Sequence, residues 1–557
     1  MKRNRTKVNT GKKTAVLYLY LLFLFVEVGC QSEQHPSPIG YDTLLVEVIP
    51  TSATTVTISP TAIPELAEET IPTVPSPATE TAVPSPTATS APPPPTRRPN
   101  PIVILHIPPE WEAIATQTIV QLSKAHPETT WQLTNNEQEA HIRLNQEDGV
   151  LVHQERLALV VPFNAEWSHT DEATAQGVID FGHHLAQVMP WRHIDRTQKA
   201  IRIDGRFPTD ADYPFHENWS LVGETGTETA ISAAAPILQE LMADSAIHIA
   251  AVGDIMLDRT LGSVIADGGI KFPFKLVAKP LQTADITIGN LETALGNVGQ
   301  PVDKSYTFQS PPAAAKSLAW GGFDVVSLAN NHAMDYGSES LLQGIDLLTA
   351  QDVATIGAGA NAEQARTPHI LSGNGLDVAF LGYVHVPVEA NGNFFDTATW
   401  TATETTPGLA WAVPEEITAD VTAVQSQADL VVVMLHSGYE YVEPPSEEQT
   451  AAAHAAIDAG ADIVIGHHAH ILQAVEFYKD GVIAYGLGNF AFNIDGDANT
   501  AILNVWLDED GIRQFEFIPA IVQYGGQPRF AESEEASEIM AQIYQLSQGF
   551  PAPTTGD

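Results

Sequence analysis

Three imidazoles stand within four residues at Gly466-His467-His468-Ala469-His470, directly after an apolar run. A single histidine is usually a packed side chain; three so close together after a glycine are poorly accounted for by packing. In an extended or loop segment His468 and His470 point the same way, so both rings can reach one metal centre or two adjacent ones. Four other short runs end in residues of matching chemistry. IHIAAVGD ends at Asp254, whose carboxylate can bridge two cations or, equally, cap a helix. ADITIGNLE ends at Asn290 and Glu292, which share one face if extended. FDVVSLANNH ends at Asn331 and His332. An Asn amide oxygen is a weak ligand for hard cations, and His332 is suited to donate a proton to a leaving oxygen as general acid. The alternative for Asn330-Asn331 is a turn with a left-handed residue. ADLVVVMLH ends at His436. His467 and Glu440 are expected to support ligands from behind, Glu440 by fixing a histidine tautomer, although Glu440 reads equally as a surface charge. Imidazoles mixed with oxygen ligands suit a divalent Mn, Fe or Zn ion rather than Ca. Two such ions a few Å apart would activate a water and clamp a phosphoryl or similar tetrahedral centre.

The elements that must position these residues are legible in the same runs. Each is short, apolar and β-branched, which predicts buried strands of an α/β sheet. Open α/β sheets place chemistry just past the carboxyl ends of their strands. Helix-like runs alternate with them, as in SLLQGIDLLTAQ (340–351) and SEEQTAAAHAAIDAG (446–460), the latter stopped at Gly460. AILNVWLDEDGIRQFEFIPA predicts a hairpin turning at Asp510-Gly511. The order implies an α/β domain over 246–530, followed by a tail at 531–557 with an amphipathic run. GAGANAEQA (357–365) is not a dinucleotide fingerprint and reads as a loop, and there is no P-loop. A smaller α/β module is expected over 101–245, with a strand at LALVVPF (157–163) and a helix at DEATAQGVIDFGHHLAQVM (171–189). Its His183-His184 pair reads as a helix face without a ligand. LALVVPFNAEW and YPFHENWSLVG faintly resemble segments of periplasmic solute-binding-type domains.

The 557 residues suffice for two or three domains, and 44% hydrophobic content supplies a sizeable core. The net charge is −42. Six of the 26 basic residues but only one of the 68 acidic ones lie in the first thirty positions, so the remainder is more acidic still. Such a surface repels nucleic acid and anionic lipid headgroups. The first thirty residues read as an export signal: a basic stretch to Lys13, an apolar run from Ala15 to Val26, then Val28-Gly29-Cys30. The sole cysteine after a small residue resembles a bacterial lipoprotein signal, with Cys30 lipidated; Glu27 departs from the usual apolar residue, and the alternative is an uncleaved anchor. Either places the rest of the chain outside the cytoplasm, and one cysteine permits no intramolecular disulfide. Residues 31–100, rich in Pro, Thr and Ser, predict a disordered, partly polyproline linker.

The motifs VGDIMLDR, GNLET, SLANNHAMDYG, LHSGYEY, DAGADIVIGHHAHILQAVEFY and YGLGNFAF, in this order, resemble the CapA family of capsule-synthesis proteins associated with poly-γ-glutamate. That family is similar in fold to calcineurin-like metallophosphoesterases. The resemblance covers about 246–525 and implies a metallophosphoesterase-like α/β sandwich. By that pattern Asp254, Asn331, His436, His468 and His470 resemble metal ligands and His332 the catalytic histidine. Met256 stands where the pattern has a histidine, and Asn290 where it has a bridging aspartate, with Glu292 nearby as a substitute. A one-metal site or an altered pair follows. In LHSGYEY, Ser437 stands where the family often has a bulky aromatic. The resemblance implies a surface-anchored hydrolase or transferase acting on an anionic polymer or phosphoester, working with capsule synthesis or export proteins. The alternatives are a non-catalytic component that binds polymer or partners in an export complex and, from the 101–245 segments, a solute-binding receptor.

Overall fold

The computed structural model describes residues 99–550 except 164, 166, 390–394 and 494–495; the signal, Cys30 and nearly all of the linker lie outside the described residues. The described residues all belong to one compact unit. Its centre is a pair of sheets packed face to face. The first runs in the order Ala354–Ile356, Val325–Ser327, Ile286–Leu291, Ile247–Met256, Asn499–Asp508, Gly511–Val522, Pro528–Phe530, with Asn489–Phe492 also pairing Ile247–Met256. The second runs His369–Gly373, Leu376–His385, Leu430–Ser437, Ile463–His467, Gly481–Ala484, Val475–Tyr478. The strands that carry candidate ligands are mutually parallel in each sheet.

Strand alternation explains why these runs are apolar throughout. Ile249, Ala251, Ile286, Ile288 and Val325 face Phe380, Val432, Met434, Ile463 and Ile465 in the core between the sheets. Their neighbours Ala250, Val252, Leu291 and Val326 face the opposite way, under the helices Arg259–Ala266, Ala314–Gly321 and Gly337–Thr349. On the far side, Val431, Val433, Leu435 and Val464 lie beneath Pro414–Val424 and Glu447–Asp458. Four layers result, helices outside two sheets, and both faces of each ligand-bearing strand are covered. This is the expected α/β sandwich.

Residues 102–223 build a separate sheet around Leu105, Ile142, Leu144, Trp219 and Leu221, backed by the helices Glu112–Ala125 and Glu228–Leu241. It is tied to the sandwich by a two-pronged Arg202–Glu516 ion pair at 2.7 Å and by Phe207 stacked on Trp506 at 4.5 Å. The helix expected over 171–189 spans only Glu172–Phe181. Gly182 adopts φ +73°, which ends it, and Gln187–Pro190 becomes a strand beside Leu157–Val160. The 357–365 segment is not all loop: Ala358–Gly359 pairs with Gly408–Leu409, and Asn361 caps a short helix at Ala362–Arg366. The C-terminal amphipathic run forms the helix Ser533–Ser547, which buries Ile539 and Ile543 in the core between the sheets.

Asp462 opens the Ile463–His467 strand and accepts the Val431 N–H at 2.7 Å. Burial pushes its carboxyl up to about 6, and the Val431 hydrogen bond offsets only part of that. A carboxyl raised on folding contributes stability that is complete below its unfolded pKa and lost as pH climbs through about 6. Asp462→Asn keeps the acceptor and removes the charge. It should stabilise the chain at pH 7.5 by about 1–3 kcal/mol, with little gain at pH 4.5. Thermal unfolding at the two pH values measures this, and an equal effect at both would refute it.

Candidate metal centre

The first sheet aims Asp254 by an irregularity. Pairing with Ile286–Leu291 slips between Ala251 and Asp254, so that Asp254 stands opposite Asn290 on one side and Asn489 on the other. A β-bulge of this kind re-aims a side chain near a strand end. Gly253 permits it, since a Cβ there would lie 2.0 Å from the Gly488 carbonyl oxygen. Asp254, now buried, accepts from Asn290 Nδ2 at 2.8 Å and from the His468 N–H at 3.2 Å. His467 Nδ1 and His470 Nδ1 lie 3.2 and 3.3 Å from its two oxygens.

Around it the expected residues converge. Ligand atoms of Glu292, His436 and His468 lie within 4.8 Å of one another, as do those of Asp254, Glu292 and His470. Glu292 is common to both groups. Asn331 Oδ1 lies 2.8 Å from His436 Nε2, and Asn290 Nδ2 lies 3.1 Å from His436 Nδ1. Asn330 turns inward, donating to Asn290 Oδ1 at 3.1 Å and to the Leu291 carbonyl at 2.9 Å, while its own oxygen accepts the His332 N–H. Met256 is fully buried against Phe308 and Phe492. Glu440 is exposed at the mouth, and both His436 ring nitrogens face Asn290 and Asn331 instead. His183 and His184 lie side by side, ring centroids 4.5 Å apart and tilted by 35°, on the exposed surface of the first module.

His468 and His470 reach the site by a route other than strand alternation. Both adopt left-handed backbone, φ +86° and +56°, in a tight loop after the strand. Such conformations in non-glycine residues persist where surrounding structure enforces them, and they cluster at functional sites. The loop sends His468 beside His436, ring centroids 4.8 Å apart, and His470 beside Asp254.

Electrostatics separate the imidazoles. Burial, reinforced by His468, pushes His436 well below the ordinary imidazole range. Burial and the adjacent His470 push His468 down to about 3. His470 is raised, because its contact with Asp254 outweighs burial. Burial opposes charge on Asp254, yet His467 and His470 more than offset it and hold the carboxyl well below its usual range. At neutral pH the site therefore offers neutral His436 and His468 and an ionised Asp254, the forms that bind metal. His468 Nδ1 is buried with no hydrogen-bond partner among the described residues, as expected of an atom waiting for a ligand. Imidazoles, carboxylates and amide oxygens together fit Mn, Fe or Zn.

Lys304, Asp335 and Asn489 also take part, and Lys304 carried no sequence signal. Asp335 Oδ2 lies 2.7 Å from His332 Nδ1, and Asp335 Oδ1 accepts from Lys304 Nζ at 2.8 Å. Lys304 also donates to the Asn331 carbonyl. Asn489 Oδ1 lies 2.9 Å from His470 Nδ1. Asp335, three residues after His332, and Asn489, within YGLGNFAF, lay in quoted motifs but were not singled out. The centre opens into a 1010 Å³ cavity bordered by His332, His468, His470, Phe308, Arg259 and Tyr439.

The profile of the bacterial capsule synthesis protein family, PGA_cap, matches residues 248–494. The capsule biosynthesis protein CapA of Bacillus anthracis is 31% identical over 303 residues, 52% of this chain and 71% of that one. The PGA biosynthesis protein CapA of Bacillus subtilis is 34% identical over 283 residues, 50% of this chain and 72% of that one. The chain belongs to the CapA family. Among solved structures, a phosphatase from Mycoplasma pneumoniae aligns over 50% of this chain and 94% of its own, at 12% identity and a TM-score of 0.32. In this CapA-family chain the profile match contains every candidate ligand from Asp254 to His470 and ends just after Asn489.

Proposed function

We propose that this CapA-family chain is a metal-dependent hydrolase or transferase of capsule or poly-γ-glutamate assembly. The observation that carries this is the convergence of His436, His468 and His470 with Asp254 and Glu292 at the base of an open cavity. The names of the Bacillus relatives support the polymer context. Asp254, Glu292, His436, His468 and His470, with Asn331, would hold one or two divalent ions. Such an ion, when bound, supplies Lewis-acid polarisation of a substrate oxygen and of an attacking water.

The chain's own residues do the rest. The cavity admits an extended substrate past Tyr306, Tyr439 and Tyr441. Asp335 engages His332 Nδ1, which turns Nε2 toward Glu292, 4.0 Å away, and toward the cavity. From there His332 delivers a proton to the leaving atom as general acid. Covering layers on both sheets exclude water from behind the ligands, so charge here is poorly screened. The chain is read as exported and held at the membrane through a lipid on Cys30, with residues 31–100 as spacer. The sequence around the apolar run supports this, and no helix among the described residues is long and apolar enough to cross a membrane.

The test is metal content of the purified full chain beside a His468→Ala, His470→Ala double variant. One or two equivalents of Mn, Fe or Zn, lost in the variant, are expected. No retained metal after reconstitution would remove the enzymatic reading and leave a binding scaffold in its place.

A further inference from the structure

Arg259 ends the VGDIMLDR motif, and none of the ligand geometry above uses it. It borders the same cavity as His332, His468 and His470. Its guanidinium lies 4.8 Å above the Phe308 ring, which also lies against the His332 ring at 4.3 Å. One side-chain N–H donates to the Asn493 carbonyl at 3.0 Å. The remaining donors form no ion pair among the described residues. Among the ten described arginines only Arg156 shares this. Arg143, Arg192, Arg196, Arg202, Arg206, Arg366, Arg513 and Arg529 all sit within ion-pair distance of a carboxylate. A protein with 68 acidic residues and 26 basic ones has carboxylates to spare, yet Arg259 is directed at the cavity instead.

The backbone reinforces this. Arg259 adopts φ +51°, a left-handed conformation that few residues other than Gly, Asn and Asp tolerate. Asn493 holds the turn, its side chain accepting the Thr260 N–H at 3.3 Å. Strain of this kind at a cavity mouth marks a position shaped by function. A planar guanidinium with free donors matches the paired oxygens of a carboxylate or phosphate.

We infer that Arg259 is a specificity-determining residue that binds an oxyanion of the substrate, a carboxylate or phosphate group, beside the reacting centre. This rests on the site reading given above and names what that site selects: a substrate carrying negative charge next to the bond acted upon. In a chain this acidic, such a substrate would otherwise be repelled. Arg259 is the cation bordering the cavity that counters that repulsion.

The experiment is equilibrium binding of inorganic phosphate and of glutarate to the full chain, with manganese and, in parallel, with EDTA. Wild type is compared with Arg259→Gln, Arg259→Lys and, as a control at a separate cavity, Arg156→Gln. Arg259→Gln is expected to weaken at least one probe tenfold or more, Arg259→Lys less, and Arg156→Gln not at all, with manganese content unchanged in every variant. The probe that responds identifies phosphate or carboxylate as the group read. Wild-type affinity for both probes in Arg259→Gln, or no binding of either by wild type, would overturn the assignment. So would loss of manganese in Arg259→Gln, which would make the residue structural. Absence of manganese from wild type would count against the metal reading alone, and the EDTA arm would still decide the role of Arg259.

Discussion

Asp254→Asn should lower divalent-metal affinity by at least about 100-fold, above the losses typical of residues that merely support ligands. The side chain is the hub of the site. It accepts from Asn290 and from the His468 backbone, and it lies within 3.3 Å of both His467 and His470. An amide in its place sets a donor against donors and removes the charge that His470 faces. Titration of manganese into the chelated chain separates two outcomes, because Glu292 belongs to both ligand groups and Asp254 to one. A two-ion centre should lose one equivalent and keep the ion held by Glu292, His436 and His468. A one-ion centre at Asp254, Glu292 and His470 should lose all of it. Unchanged affinity and stoichiometry would show that Asp254 only shapes the loop. The same variant should destabilise the metal-free chain at pH 7, because it takes a buried acceptor from the Asn290 and His468 N–H groups. The sign with pH follows from Asp254 being depressed on folding: its contribution is present above the unfolded carboxyl pKa and is lost as pH falls. The gap between wild type and variant should therefore close in acid.

Much of this arrangement was legible because strand ends are local. An apolar β-branched run stopping at Asp254, Glu292, His436 or His468 marks both the strand and the residue it delivers. Parallel pairing then brings those ends to one edge of the two sheets. What was not legible depends on contacts distant in sequence. The slip that sets Asp254 opposite Asn290 and Asn489 requires the Gly253 backbone to press against Gly488, 235 positions later. The left-handed turns at His468 and His470 have no marker, since neither is the Gly or Asn that usually signals one. The helix expected to continue to 189 shows the converse. Its apolar spacing persists past Gly182, but Gln187–Pro190 finds a better hydrogen-bonding partner in the strand beside it. Tertiary pairing overrode the local pattern there. Lys304 comes from a loop with no motif, and only the fold shows that it is inside.

Lys304 and Asp335 should be energetically coupled. Both side chains are fully buried, 2.8 Å apart. Asp335 also accepts the Phe308 N–H at 2.8 Å and contacts His332 Nδ1, while Lys304 reaches the Asn331 carbonyl. One ion pair thus fixes two consecutive residues, one a candidate ligand and the other the candidate general acid. Removing either partner alone strands a charge in a low-dielectric interior. Lys304→Met and Asp335→Asn are each expected to cost about 3–5 kcal/mol in chemical denaturation. The double variant strands no charge, so its loss should fall short of the sum by about 1–3 kcal/mol. Strictly additive losses would mean that the pair is not a unit. Metal binding discriminates further. Lys304→Met leaves every candidate ligand in place but loosens the loop carrying Asn331. Affinity should fall about 10–100-fold, the range for a residue that orients a ligand without touching the ion. A destabilised Lys304→Met chain with wild-type metal affinity would assign the pair to folding alone. A parallel fall in both would tie the metal centre to a lysine that the sequence does not mark.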